Sequence, residues 1–87
     1  MQKSVTVQNA TGLHARPASM FIQTASKFKS DIFVIKDGNR INAKSIMGIM
    51  AAGISQGTEI IIEAKGPDEG EAVEKLAELV ESKFGEE

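Results

Sequence analysis

Residues 31–43, Asp31-Ile32-Phe33-Val34-Ile35-Lys36-Asp37-Gly38-Asn39-Arg40-Ile41-Asn42-Ala43 (DIFVIKDGNRINA), decide the fold class. Two short runs suited to strands, 31–36 and 40–43, flank Asp37-Gly38-Asn39, whose Asp-Gly pair accepts the backbone conformations a tight hairpin requires. A central antiparallel hairpin means a sheet, and the segments on either side must supply both its other strands and its cover.

Upstream, Lys3-Ser4-Val5-Thr6-Val7-Gln8 alternates apolar with polar residues, as a strand covered on one face does. From Ala18 the period changes: Ala18, Phe21, Ile22, Ala25 and Phe28 recur at helical spacing. Pro17 suits a first helical turn, so a helix is predicted from Ala15 or Arg16 to Lys27, with His14 at its N-cap. Downstream, Ser45 precedes a short apolar helix, Ile46 to Ala52, which Gly53 can end. Thr58 to Lys65 is dominated by β-branched residues and reads as the last strand. Asp68, Glu69 and Glu71 favour the start of a final helix, with Val73, Leu76, Leu79, Val80 and Phe84 as its apolar stripe and Gly85 as its stop.

The order is β-α-β-β-α-β-α, with no linker or repeat, and predicts one domain over residues 1–87. The economical use of this material is an α+β, two-layer fold, an antiparallel sheet with the longer helices on one face. The first two strands, joined through a helix, need a crossover. Periodicity leaves strand order open, and a ferredoxin-like order competes, with the third helix as an extra element.

Composition narrows function. The chain has 87 residues, 41% hydrophobic and 25% charged, with a formal net charge of −2. So small a core favours a shallow surface site over an enclosed cavity. Zero cysteines and one histidine exclude disulfides, thiolate metal sites and multi-histidine sites, so no metal or cofactor is expected. There is no basic run for nucleic acid, no export signal and no apolar run of membrane-spanning length, which makes the cytoplasm the expected location and argues against membrane insertion.

The single histidine lies in Gly12-Leu13-His14-Ala15-Arg16-Pro17-Ala18-Ser19 (GLHARPAS). A helix start offers unpaired amides and the positive end of the dipole, which together make an anion site. Arg16 adds a guanidinium that forks onto phosphate oxygens, and Pro17 leaves the amides of Ala15 and Arg16 as the contacts. An imidazole beside such a cradle suits a phosphoryl acceptor. The same residues also read as a capping histidine and a solvated arginine, and physics alone leaves both readings open. Met47 and Met50 likewise fit either a core or an adaptable exposed face on a helix apolar nearly all round.

GLHARPAS, Lys44-Ser45-Ile46-Met47-Gly48-Ile49-Met50 (KSIMGIM), the length and the element order closely resemble the HPr family, the histidine-containing phosphocarriers of the bacterial phosphoenolpyruvate:sugar phosphotransferase system. The resemblance covers essentially the whole chain. It implies an open-faced β-sandwich with strand order 1-4-2-3. It implies that His14 accepts phosphate on Nδ1 from enzyme I and hands it to the IIA domain of a sugar permease, with Arg16 binding the phosphate. The carrier is then a substrate of its partners rather than an enzyme. Ile46, Met47, Met50 and Pro17 are implied as the partner-binding patch. In the low-GC Gram-positive branch, Ser45 is implied as the target of HPr kinase/phosphorylase, its phosphorylated form binding a catabolite control repressor. Two alternatives stay in the carrier's neighbourhood, a regulatory module acting through phospho-Ser45 and a nitrogen-branch phosphocarrier. A small RNA-binding domain is a third, disfavoured because the chain has neither Trp nor Tyr for base stacking.

Overall fold

The hairpin forms, one residue tighter than predicted. In the computed structural model, which describes residues 1–85, β2 spans Asp31–Lys36 and β3 spans Asn39–Asn42. Lys36 pairs with Asn39, so Asn39 belongs to the strand and only Asp37 and Gly38 turn the chain. Both have positive φ, 51° and 80°, as a two-residue type I′ turn demands. Ala43 lies outside β3, although its amide still reaches the Ile32 carbonyl at 2.9 Å.

The other elements are β1 (Gln2–Thr6), α1 (Ala15–Ala25), α2 (Ile46–Ala51), β4 (Glu59–Lys65) and α3 (Glu69–Glu81), followed by a 3₁₀ turn at Lys83–Gly85. The sheet order is β1-β4-β2-β3, every pair antiparallel, with β4 inserted between the first strand and the hairpin. Register sorts the side chains. Val5 lies opposite Ile60, Val34 opposite Ile62 and Ile32 opposite Ala64, and all six are buried on the face that the helices cover. The alternate residues, including Phe33, Ile35 and Ile61, form the outer face. There the Arg40 guanidinium lies 4.1 Å from the Phe33 ring centroid and 2.8 Å from Glu63.

The inner layer is closed by Phe21 and Ala25 of α1, Ile49 of α2, and Ala72, Val73, Leu76, Ala77 and Val80 of α3. Complete burial of a side chain such as Phe21 or Leu76 contributes about 1.5–3 kcal/mol. The helix ends depart from the predicted bounds. Helix α1 stops at Ala25 because Lys27 and Phe28 donate to the Thr24 and Ala25 carbonyls, three residues back, tightening the last turn. Helix α3 stops at Glu81, and Phe84 reaches the core by another route. Lys83 and Phe84 both have positive φ, 59° and 55°, which folds the ring back to 3% exposure. At the other end, Asp68 does not cap its own helix. Its carboxylate accepts from the Lys29 amide at 2.9 Å, the Ser30 amide at 3.0 Å and the Ser30 hydroxyl at 2.5 Å, tying the start of α3 to the loop after α1.

Candidate functional site

His14 is delivered to the surface by a braced loop. Val7 continues the line of β1, donating to the Thr58 carbonyl and accepting from the Gly57 amide. The chain then folds around buried Asn9, whose Nδ2 donates to the Gly12 carbonyl at 2.8 Å and to Thr11 Oγ1 at 3.2 Å. Gly12 has φ +61° and lies so close to the loop after α2 that a Cβ there would come 2.5 Å from the Ile54 oxygen. Only glycine combines that φ with that approach. Leu13, 3% exposed, then donates its amide to the Ile54 carbonyl at 2.9 Å. The next residue is His14.

His14 occupies the N-cap of α1 in extended conformation, its carbonyl accepting from the Ala18 amide at 2.8 Å while its side chain makes no capping bond. The ring is exposed. Because the Ala18 amide makes the first intrahelical bond and Pro17 has no N–H, the amides of Ala15 and Arg16 are left at the helix start without intrahelical acceptors. Ala15 and Arg16 are exposed and Pro17 is buried beneath them. One surface thus carries an accessible imidazole, two backbone donors at the positive end of a helix and a guanidinium two residues away. Chemically it can hold an anion beside a ring nucleophile.

The second predicted group lies on α2. Ser45 is its N-cap, Oγ accepting from the Gly48 amide at 3.1 Å. Ile49 turns fully into the core, whereas Ile46, Met47 and Met50 remain 41%, 79% and 44% exposed. The methionines therefore face solvent rather than the core. Helix α2 packs against α1 and β3, and the Ile54–Leu13 bond sets its C-terminal end beside the start of α1. Ser45 sits at the opposite end of this six-residue helix. The structure thus brings His14, Ala15 and Arg16 together at an exposed helix start, with the exposed α2 residues on the adjoining element; Pro17, expected in the partner-binding patch, is instead fully buried, so it shapes the first turn and offers a partner no surface. Asn9, Gly12 and Ile54, which brace the loop, do not stand out in the sequence. An Asn and a Gly three residues apart before a helix are the one signal available there.

The resolved carboxylate shifts lie elsewhere. Hydrogen bonds from Ser30 and then Lys29 hold Asp68 below its ordinary value, the Gly66 amide and then the N-terminal ammonium lower Glu69, and Gln2 and then Arg40 lower Glu63. Among the described residues no cluster of metal-ligating side chains occurs, and no helix is long and apolar enough to cross a membrane.

Similarity to known proteins extends over nearly the whole chain. The family model described as the PTS HPr component phosphorylation site matches residues 1–82. The HPr-like protein Crh of Bacillus subtilis is 53% identical over 81 residues, 93% of this chain and 95% of that protein. The phosphocarrier protein HPr of Neisseria meningitidis serogroup A is 45% identical over 86 residues, 99% of this chain and 97% of that protein. The crystal structure of HPr-C-His from Thermoanaerobacter tengcongensis matches with a TM-score of 0.97 at 56% identity, covering 100% of this chain and 98% of that one. With a family model over nearly its whole length and relatives of this similarity, the chain belongs to the HPr family of the phosphotransferase system, whose members are phosphocarriers and not enzymes.

Proposed function

We propose that His14 carries the phosphoryl group, taking it from phospho-enzyme I in the cytoplasm and passing it to the IIA domain of a sugar permease. The observation that supports this most directly is the exposed His14 ring at the start of α1, beside Arg16 and the open amides of Ala15 and Arg16. In the transfer, His14 Nδ1 forms a bond to phosphorus as the donor's bond to phosphorus breaks. The negative charge spread over the transferring oxygens meets the two amides and the guanidinium. The same donors hold the product phosphoryl, which keeps the carrier loaded until the next acceptor arrives. Ile46, Met47 and Met50 form the docking patch, whose apolar centre suits a partner that must bind and leave, while buried Pro17 only stiffens the helix start.

The test is incubation with enzyme I and phosphoenolpyruvate, followed by mass spectrometry of the intact protein. A single acid-labile phosphate adduct is expected, lost in His14→Ala and formed more slowly in a folded Arg16→Ala variant. An acid-labile adduct on His14→Ala protein would refute the assignment.

A regulatory reading through Ser45 is favoured by one observation, the 53% identity to an HPr-like protein named Crh. In this reading HPr kinase/phosphorylase modifies Ser45, and the product engages a catabolite control repressor. A phosphoserine carries about −1.5 to −2 charge at pH 7, which a helix start tolerates, but it also places that charge beside the exposed α2 residues. Ser45-phosphorylated protein is expected to accept phosphate from enzyme I far more slowly, with circular dichroism unchanged. Equal rates at confirmed occupancy would leave Ser45 a cap alone.

A further inference from the structure

Helix α2 is only six residues long, too short to hold itself together by its own hydrogen bonds. Its N-terminus is closed by Ser45 Oγ. Its C-terminal end is closed by a side chain from the sheet. Lys36, the last residue of β2, sends its ammonium to the Ala52 carbonyl at 2.9 Å and toward the Gly53 carbonyl at 3.4 Å. These carbonyls lie just beyond α2, where a cation also opposes the negative end of the helix dipole. Ile41 of the hairpin lies against Gly48 of α2, and beside that contact an open groove of about 350 Å³ separates the two elements. The Lys36 side chain spans it.

The pinned carbonyls lead directly into the brace of the site. Ile54 is the next residue, and its carbonyl accepts the amide of Leu13, one residue before His14. The path from Lys36 to His14 therefore runs through a hydrogen bond to Ala52 or Gly53, two residues or one of chain to Ile54, one backbone hydrogen bond to Leu13 and one further residue. From this continuity we propose that Lys36 is a positioning residue for phosphoryl transfer, fixing the turn after α2 and through Ile54 and Leu13 the N-cap placement of His14. The proposal rests on His14 being the phosphoryl acceptor. Lys36 itself touches neither the ring nor the anion cradle.

Lys36→Met keeps the length and apolar stem while removing the charge and the donors, and Lys36→Arg keeps both. Two readouts are needed, both at a temperature where melting curves show each variant folded. The first is backbone hydrogen exchange of the Leu13 amide, which does not depend on any assignment at His14. Loss of a charge-assisted hydrogen bond in its support should speed exchange in Lys36→Met by about tenfold, with Lys36→Arg close to the parent. The second is steady-state phosphorylation by enzyme I and phosphoenolpyruvate. A fall of about fivefold to tenfold in kcat, at a KM within about twofold of the parent, is expected for Lys36→Met, again restored by Lys36→Arg; this is less than the roughly hundredfold that a full 1 Å misplacement of a reacting group costs, as suits a tie acting at one remove. A parent-like kcat in Lys36→Met overturns the proposal, as does a change confined to KM, or a lowered kcat with unchanged Leu13 exchange. If Lys36→Met does not fold, Lys36→Gln takes its place under the same criteria. Labelling of His14→Ala protein would instead overturn the acceptor assignment, leaving the exchange result to judge the Lys36 tie by itself.

Discussion

Gly12→Ala should be costly out of proportion to one methyl group. At φ +61° an L side chain pays about 1–2 kcal/mol for the left-handed region. The added Cβ would also meet backbone on the facing loop, 2.5 Å from the Ile54 oxygen and 2.7 Å from the Ser55 Cα, so relief requires the two loops to part. Parting them stretches the Leu13–Ile54 hydrogen bond, worth about 1 kcal/mol, while the stiffer unfolded chain returns about 0.4–1 kcal/mol. The net loss is about 1–2.5 kcal/mol, and with a urea slope of roughly 1–3 kcal/mol per molar the midpoint should fall by about 0.5–1.5 M. Gly38→Ala is the control. Its φ is +80° but nothing lies within 4 Å of its added Cβ, so it bears the conformational cost without the collision. Urea denaturation of both variants isolates the close approach. Phosphorylation of the folded Gly12→Ala protein should be slowed as well, because the same contact places His14. A Gly12→Ala midpoint no lower than that of Gly38→Ala would refute this account of the loop.

Asp68 is held below its ordinary value of 3.8 by the Ser30 hydroxyl and the Lys29 amide, so the unfolded chain takes up a proton before the folded one does. That stabilisation is present above the unfolded value and is lost as pH falls through the lower folded one; Asp68→Asn should flatten the dependence of melting temperature on pH below about 4, and an unchanged acid limb would refute the role. Met47, 79% exposed, should tolerate Met47→Asp with a stability change within about 0.5 kcal/mol while partner affinity falls clearly; calorimetric titration with unchanged affinity for enzyme I and IIA domains would remove it from the docking patch. Ser45→Ala loses the bond from the Gly48 amide and should destabilise by about 1 kcal/mol in chemical denaturation, with no loss refuting the cap.

Local chemistry makes most of the fold legible. Asp37-Gly38 announces a turn because few other pairs accept two positive φ values in succession, and the periods of 18–28 and 73–84 announce faces that have to be buried. Strand order is not legible from periodicity, because Val5 and Ile32 alternate in the same way whichever neighbour β4 supplies; it comes instead from the family resemblance. The end of α3 escapes the pattern for a related reason. Phe84 continues the helical spacing, but two left-handed residues bring it to the core, and neither Lys83 nor Phe84 is a residue type that signals such a conformation. Asp68 has the look of a helix-start acid and is a tertiary tie, since its hydrogen-bond partners lie 38 and 39 residues away. At the site, His14, Arg16 and Pro17 stand out because their spacing is itself the geometry of a helix start. Their bracing by Asn9, Gly12 and Ile54 depends on the meeting of two loops far apart in the chain, which no local pattern announces.

An exposed side chain cannot be positioned by burial, and His14 shows how a small fold manages without it. Buried residues on either side, Leu13 and Pro17, fix the backbone while the ring stays in solvent. The Leu13–Ile54 hydrogen bond also fixes the distance between that backbone and the end of α2, the element that carries Met47 and Met50. If partners dock on those methionines, they acquire a registration on His14 without touching the residues that set it. Side chains remote from phosphate then govern transfer through the offset between two helices, and substitutions there act on rate even where no contact with either partner is lost.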